Sequence, residues 1–456
     1  MRPGILIRLA SGLVALTLSG STCVRAKDTG KTSEGFVALF NGKDLSGWHG
    51  RPHLDPRQYT AMGAPELSMK SSGWNEDAKK HWKVVGGELV NDGQGVFLTS
   101  DRDYGDIELR VDFKIEPKGD SGIYLRGTPQ VQIWDSRKEA GYWDLGANKG
   151  SGGLWNNSPG APGKDPLVHA DKPIGEWNRF RVVQVGSRTT VYLNDALVVD
   201  QAPMENYWDR SLPLFARGAI QLQTHGGITR WRNINARTIP PDEANAILSG
   251  RAPQGFRPLF DGQTLKGWAG PVDDYEVARG AIRCKPGKGG AIYYDEPFSD
   301  FVARVEFRLP PGGNNGLLIR FPGRGEPHTL SMCELQILDD DAPKYSDLDP
   351  RQYCGSVYGM VAAKRGYLRP AGQWNFEEVT VNGPKIQVEL NGTMIVEADL
   401  SKVTEFKDNT PHPGKDRTSG FFGFAGHHDP VEFRHVRVKP LRIANSITSR
   451  FPFRIV

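Results

Sequence analysis

An arginine, a strand of alternating polar residues and a histidine recur in the same order in both halves of this 456-residue chain. In the first half they are Arg126, the group Gln130, Gln132, Trp134 and Asp135, and His225. In the second they are Arg320, the group Glu334, Gln336 and Asp339, and His427. Strand period puts Gln130, Gln132 and Trp134 on one face and Val131 and Ile133 on the other. Histidine titrates near neutral pH and suits proton transfer, a glutamate can share that task, and a guanidinium can hold developing negative charge. A solvated sheet face, or a histidine bonded to backbone at a strand end, would leave the same letters. Recurrence in both halves is what favours a site.

Trp134, Tyr142, Trp143 and Trp155 fall within one glycine-rich stretch. Sugar rings expose apolar C–H faces that stack on such rings, while their hydroxyls need amides, carboxylates and arginine. Carbohydrate is therefore the expected partner, with Trp155, Gln130, Gln132, Trp134, Asp135, Gln336 and Asp339 as binding residues. Trp48, Trp177, Trp268 and Trp374 stand at strand starts in both halves and read as core anchors. No nucleophile elbow, paired-histidine zinc helix, phosphate loop or EF-hand loop is present. No nucleotide or redox cofactor is expected. A divalent metal near Asp339-Asp340-Asp341 is the one cofactor left open, although acidic turns are far more often only solvated.

The elements that position these residues are strands. GFVALFNGKDLSGW (35–48) is echoed by GFRPLFDGQTLKGW (255–268), SGIYLR (121–126) by NGLLIR (315–320), VQIWD (131–135) by LQILD (335–339), and GEWN (175–178) by GQWN (372–375). Five blocks in one order, counting the histidines with their Trp231-Arg232 and Phe433-Arg434 followers, make the halves duplicates. Ile107 to Ile115 alternates apolar and charged without fault, the pattern of an antiparallel sheet with one buried face. Asn194-Asp195, Asn382-Gly383 and Asn391-Gly392 read as hairpin turns. The expected fold is all-β, two tandem sandwiches or jelly rolls over 35–240 and 255–441, joined by a linker at 241–254 with a short helical run. The first copy alone carries an insertion, His49 to His81. The string LDPRQY occurs twice, at non-equivalent places.

The chain holds 54 Gly and 32 Pro and has a net charge of +4, with no basic block to serve a nucleic acid. Arg2, Arg8, the apolar stretch Leu9 to Leu18 and the small residues of Val24-Arg25-Ala26 form an export signal over 1–26, which sends the protein to the periplasm or outside the cell. That stretch is too short to span a bilayer. Cys23 offers lipid attachment as an alternative, on a poor lead-in. Cys284, Cys333 and Cys354 allow at most one disulfide, and buried apolar roles suit them better. The tail 442–456 is left unassigned.

NGKDLSGW, SGIYLR, QVQIWD, GEWN and IQLQTHG with RWRNI together resemble the 3-keto-disaccharide hydrolase family, common among exported bacterial proteins. The resemblance implies two tandem concanavalin A-like jelly-roll domains acting on glycosides already oxidised at carbon 3, some members being lyases and hydratases, with a sugar 3-oxidoreductase as partner. The family's glutamate before the V-x-Q strand is Glu334 in the second copy, but Gln130 in the first. The chemistry implied is removal of the proton on carbon 2 by Glu334 or His427, with Arg320 or a metal near Asp339 stabilising the enolate. In the first copy His225 would act with Arg126 and Gln132. The rival reading is a non-catalytic, lectin-like protein, favoured in the first copy by its missing glutamate. A two-carboxylate glycosidase would need a second acid that the sequence does not name.

Overall fold

The computed structural model describes residues 35–441. The expected export signal, Cys23 and the tail 442–456 lie outside the described residues. Among those described, no helix is long and apolar enough to cross a membrane.

Each repeat is a sandwich of two antiparallel sheets with the same strand order. In the first repeat the larger sheet runs Ala196–Pro203, Arg188–Leu193, Asn178–Val185, Ile107–Ile115, Thr229–Thr238, Glu88–Asn91 and Trp82–Val85. Its smaller sheet runs Trp48–Arg51, Phe97–Tyr104, Gly218–Leu222, Asp120–Leu125 and Thr128–Trp134. The second repeat reproduces both, with Phe301–Arg308, Trp374–Asn382 and Glu432–Pro440 central in the larger sheet and Asn314–Phe321, Cys333–Leu338 and Gly420–His427 in the smaller.

The alternation of Ile107–Ile115 works as expected on one side: Leu109, Val111 and Phe113 are buried between the sheets against Phe180 and Trp231. The opposite side is less wet than the pattern suggests. Glu108 and Asp112 are buried too, beneath a lattice of guanidiniums in which Arg110, Arg181 and Arg237 hold Glu108 while Arg179 and Arg232 hold Asp112. Trp177 and Trp374 belong to this outer side rather than the core. Arg232 stacks on Trp177 at 4.0 Å and Arg434 on Trp374 at 4.1 Å. Trp48 and Trp268 are buried, each donating its indole N–H to a backbone carbonyl.

Asn194-Asp195 and Asn391-Gly392 are hairpin turns in left-handed backbone. The third turn falls one residue later than expected. Asn382 pairs with Lys385, so the turn is Gly383-Pro384. The insertion continues the Trp48–Arg51 strand and then forms helices Pro56–Ala61 and Ala64–His81. The longer helix lies so close that a side chain at Gly50 would overlap the Trp74 carbonyl oxygen. Each LDPRQY string makes a capped helical turn: Asp55 and Asp349 each accept the backbone N–H two residues on and the guanidinium of Arg57 or Arg351. Cys284, Cys333 and Cys354 are free and buried.

The linker is structured. Pro241–Ser249 is a helix packed between Val183 and Val185 of the first repeat and Phe376 of the second. Ser187 donates its backbone N–H to Gly392 at 3.1 Å, and Arg369 reaches Asp106 across the junction at 3.4 Å.

Candidate active site

The outer face of each smaller sheet carries the recurring polar groups. Strand register lines up Thr99, Gln221, Tyr124 and Gln130 in one row across the first repeat, with Gly122 and Gln132 in the next. The corresponding rows of the second repeat are Tyr293, Gly423, Leu318 and Glu334, then Ala291, Ala425, Gly316 and Gln336. Period two dictates this placement, because Ile123, Val131 and Ile133, with Leu317, Leu335 and Ile337, turn the other way into the cores.

In the first repeat a hydrogen-bonded chain runs along this face. Gln130 donates to Gln132, Gln132 donates to Asp120 Oδ1 at 2.7 Å, and Asp120 Oδ2 lies 2.8 Å from Nδ1 of His225. Asp120 is buried and His225 is largely exposed, so the imidazole is presented at the surface with its acid fixed from below. The hydrogen bond that its Nδ1 donates to Asp120 holds the imidazole above its usual value of 6.5, against the opposing cost of burial.

In the second repeat the amide and the acid change places. Asn314 stands at the position of Asp120 and accepts from Gln336 at 2.8 Å. The carboxylate comes instead from Glu334 on the adjacent strand, whose Oε1 lies 3.6 Å from Nε2 of His427. The facing Glu334 holds His427 above its usual value as well. One imidazole faces one carboxylate in each copy. The glycine of SGIYLR and NGLLIR makes room for the side chain beside it: a Cβ on Gly122 would lie 2.5 Å from Gln130 Oε1, and one on Gly316 would overlap Glu334 Oε1.

Arg126 and Arg320 are not with these groups. Arg126 follows the strand Asp120–Leu125 and Arg320 is the penultimate residue of Asn314–Phe321. Each lies six residues, about 20 Å by strand rise, from Asp120 or Asn314, and two residues along from Tyr124 or Leu318, the partners of Gln130 and Glu334. Both are buried in left-handed backbone. Arg126 binds Phe215 and Gly105 carbonyls and Asp106, and Arg320 binds the Ser299, Gly383 and Arg417 carbonyls and Asp300. The terminal guanidinium nitrogens of Arg126, and the whole guanidinium of Arg320, hold loops to the sheet, while Arg126 Nε is buried without a protein partner. Asp135 and Asp339 do related work, each accepting the backbone N–H of the turn before the neighbouring strand, from Lys118 at 2.8 Å and Gly312 at 2.7 Å. Among the described residues no group of three His, Cys, Asp or Glu could cage a metal ion.

Trp134 is buried, its N–H on the Gly150 carbonyl, with its ring centroid 5.6 Å from that of Trp155. One face of Trp155 is taken by Lys164 at 4.1 Å. Asn156, next in the chain, accepts the backbone N–H of Gln130, which ties this aromatic pair to the polar row.

Two features escaped sequence reading. Asp120 became visible only when paired with His225, although its exchange with Asn314, mirrored by Gln130 against Glu334, is a signal two matched columns could have given. The insertion also contributes His53, packed among Tyr124 and Trp208 at 4.6 Å and Phe97 and Tyr207 at 5.5 Å. Burial pushes it down to about 4, so it is neutral. Its Nε2 and the Oε1 atoms of Gln130, Gln221 and Gln223 are buried without a protein partner. Buried acceptors in that state call for donors from outside the chain.

Sequence comparison matches residues 35–237 and 255–439 to the 3-keto-alpha-glucoside-1,2-lyase-like domain. A 3-keto-disaccharide hydrolase of Bacteroides thetaiotaomicron is 27% identical over 228 residues, which cover 41% of this chain and 79% of that protein. Among solved structures, a candidate glycosyl hydrolase of Parabacteroides distasonis shares 25% identity at a TM-score of 0.38, covering 41% of this chain and 99% of its own. The carbohydrate binding module CBM66 from Bacillus subtilis matches at 11% identity and a TM-score of 0.23, covering 41% and 95%. With both repeats matched almost end to end, the chain is a tandem member of the 3-keto-alpha-glucoside-1,2-lyase-like domain family.

Proposed function

We propose that this protein is an exported enzyme that cleaves 3-keto-glycosides by elimination and hydration, with a working centre in each repeat. The observation that carries the reading is the pairing of His225 with Asp120 and of His427 with Glu334 at equivalent places on the two smaller sheets.

A ketone at carbon 3 acidifies the proton on carbon 2. An unprotonated imidazole takes that proton, the C–H electrons form an enolate, and the enolate re-forms the ketone as the carbon 1–oxygen bond breaks. The departing alkoxide takes a proton from the imidazolium. Water then adds at carbon 1 and a proton returns to carbon 2, which completes net hydrolysis. With Nδ1 on Asp120, His225 keeps Nε2 for this traffic, and the buried acid stabilises the imidazolium that forms. In the second repeat Glu334 and His427 share the task, the carboxylate facing the imidazole at 3.6 Å. Because Arg126 and Arg320 are committed elsewhere, no step runs through them.

The orphaned Gln130, Gln221 and Gln223 oxygens in the first repeat suit sugar hydroxyls as donors. They favour a stronger sugar-holding role for that repeat than for the second, where the matching positions are Glu334, Gly423 and Ala425. Export rests on the arginine-led apolar start of the chain, and an oxidoreductase acting at carbon 3 must supply the substrate. Turnover of a 3-keto-disaccharide in heavy water tests the reading. It should release free sugar with deuterium at carbon 2, whereas binding without turnover would leave a lectin-like protein.

A further inference from the structure

The duplication supplies an internal control for a surface that no site above uses. In the second repeat the linker helix Pro241–Ser249 lies across the outer face of the larger sheet. Asp242 pairs with Arg434 at 2.6 Å, Asn245 donates to Glu306 at 3.1 Å, and Arg304 donates to the Ser249 carbonyl at 3.0 Å. Ala244 and Leu248 pack on Phe376, and Arg251, just past the helix, pairs with Glu378 at 2.6 Å.

Strand register gives the first-repeat counterparts of those five sheet residues. Glu306 opposes Arg434 and Phe376 as Asp112 opposes Arg232 and Arg179, and Arg304 opposes Glu378 as Arg110 opposes Arg181. All five counterparts line one open groove of about 840 Å³. Where the second repeat offers its helix a phenyl ring and an acid, the first offers the guanidiniums of Arg179 and Arg181, 65% and 44% exposed. Arg232 keeps the place of Arg434, and buried Asp112 that of Glu306.

We propose that this groove docks a short acidic helix of a partner protein, in the place the linker helix takes on the second repeat. A fitting helix carries an acid facing Arg232, as Asp242 faces Arg434, and an amide facing Asp112, as Asn245 faces Glu306. It carries further acids where the linker helix has Leu248 and Arg251. The stretch of this chain at the matching offset is not acidic. The helix begins 14 residues before Gly255, and the same window before Gly35 runs over 21–29, where Arg25 and Lys27 outweigh Asp28.

The test titrates the full chain, at low salt, with two synthetic peptides. One has the sequence of residues 240–251, and the other is the same peptide carrying Leu248→Glu and Arg251→Glu. The proposal expects the acidic peptide to bind about tenfold or more tightly than its parent, with affinity falling as salt screens the charges. Arg179→Ala with Arg181→Ala in the protein should erase that preference. Equal binding of the two peptides, no binding at low salt, or a preference that survives the double substitution would overturn it. So would an oligogalacturonate that binds the groove more tightly than the acidic peptide, since the ligand would then be an anionic glycan. The comparison of peptides on the unaltered chain stands even if the double variant folds poorly.

Discussion

Asp120 Oδ2 sits 2.8 Å from Nδ1 of His225, whereas in the second repeat the matching residue is the amide Asn314 and the acid facing the histidine is Glu334 on the next strand. The same two columns of the sheet are used in both copies, with acid and amide exchanged. The missing glutamate of the first repeat therefore does not leave its histidine without a carboxylate.

If one acid per imidazole is what matters, its strand of origin should be exchangeable. Asp120→Asn should lower first-repeat turnover by roughly 10²–10⁴-fold, the usual scale of acid–base assistance. Adding Gln130→Glu should restore part of it by recreating the second repeat's arrangement. The measurement is kcat/KM on a 3-keto-disaccharide in a background with His427→Ala.

The carboxylates also set the pH response. Both imidazoles titrate above their usual 6.5 because an acid faces each of them. The base form is the unprotonated one, so kcat/KM should rise with pH through that raised value. Removing the acid lowers the imidazole's affinity for protons, so Asp120→Asn should shift the acid limb of the first repeat's profile to lower pH while reducing the plateau. A limb that stays in place would show that the histidine is not the group titrating.

Arg126 and Arg320 should report on stability rather than catalysis. Arg320→Ala leaves Asp300 and three backbone carbonyls without their buried donor, a loss of about 3–5 kcal/mol. Thermal melting should fall sharply, while the folded fraction keeps the pH profile of the parent.

Glu377 offers a separate check on the core. It is fully buried in the larger sheet of the second repeat, opposite Val305 and Leu390, with neither carboxylate oxygen partnered, and burial alone pushes it up to about 8. The folded state therefore holds a proton that the unfolded chain releases near its ordinary value of 4.5, so stability contributed here falls as pH rises from about 4.5 to about 8. Glu377→Leu should raise the melting temperature, and by more at pH 8 than at pH 5. An equal gain at both values would mean the carboxyl is already ionised in the fold.

Much of this was legible in the letters. Matched blocks gave two sandwiches, and period two put Gln130, Gln132, Glu334 and Gln336 on the site face. Position along a strand was harder to read. Arg126 and Arg320 share a strand with the site residues, but at the end that binds loops, and a motif does not say which end of a sheet is open. Asp120 lies one residue outside its matched block, so it was passed over although it holds His225. The outer face of Ile107–Ile115 looked solvated because sequence does not show that arginines from two neighbouring strands close over Glu108 and Asp112.

The most direct measurement is hydrolysis of a 3-keto-disaccharide by His225→Ala, by His427→Ala and by the chain carrying both. Two independent imidazole–carboxylate centres predict that each single variant keeps part of the activity and that the double variant loses at least about 10²-fold. A double variant that turns over at the parent rate would contradict the assignment outright.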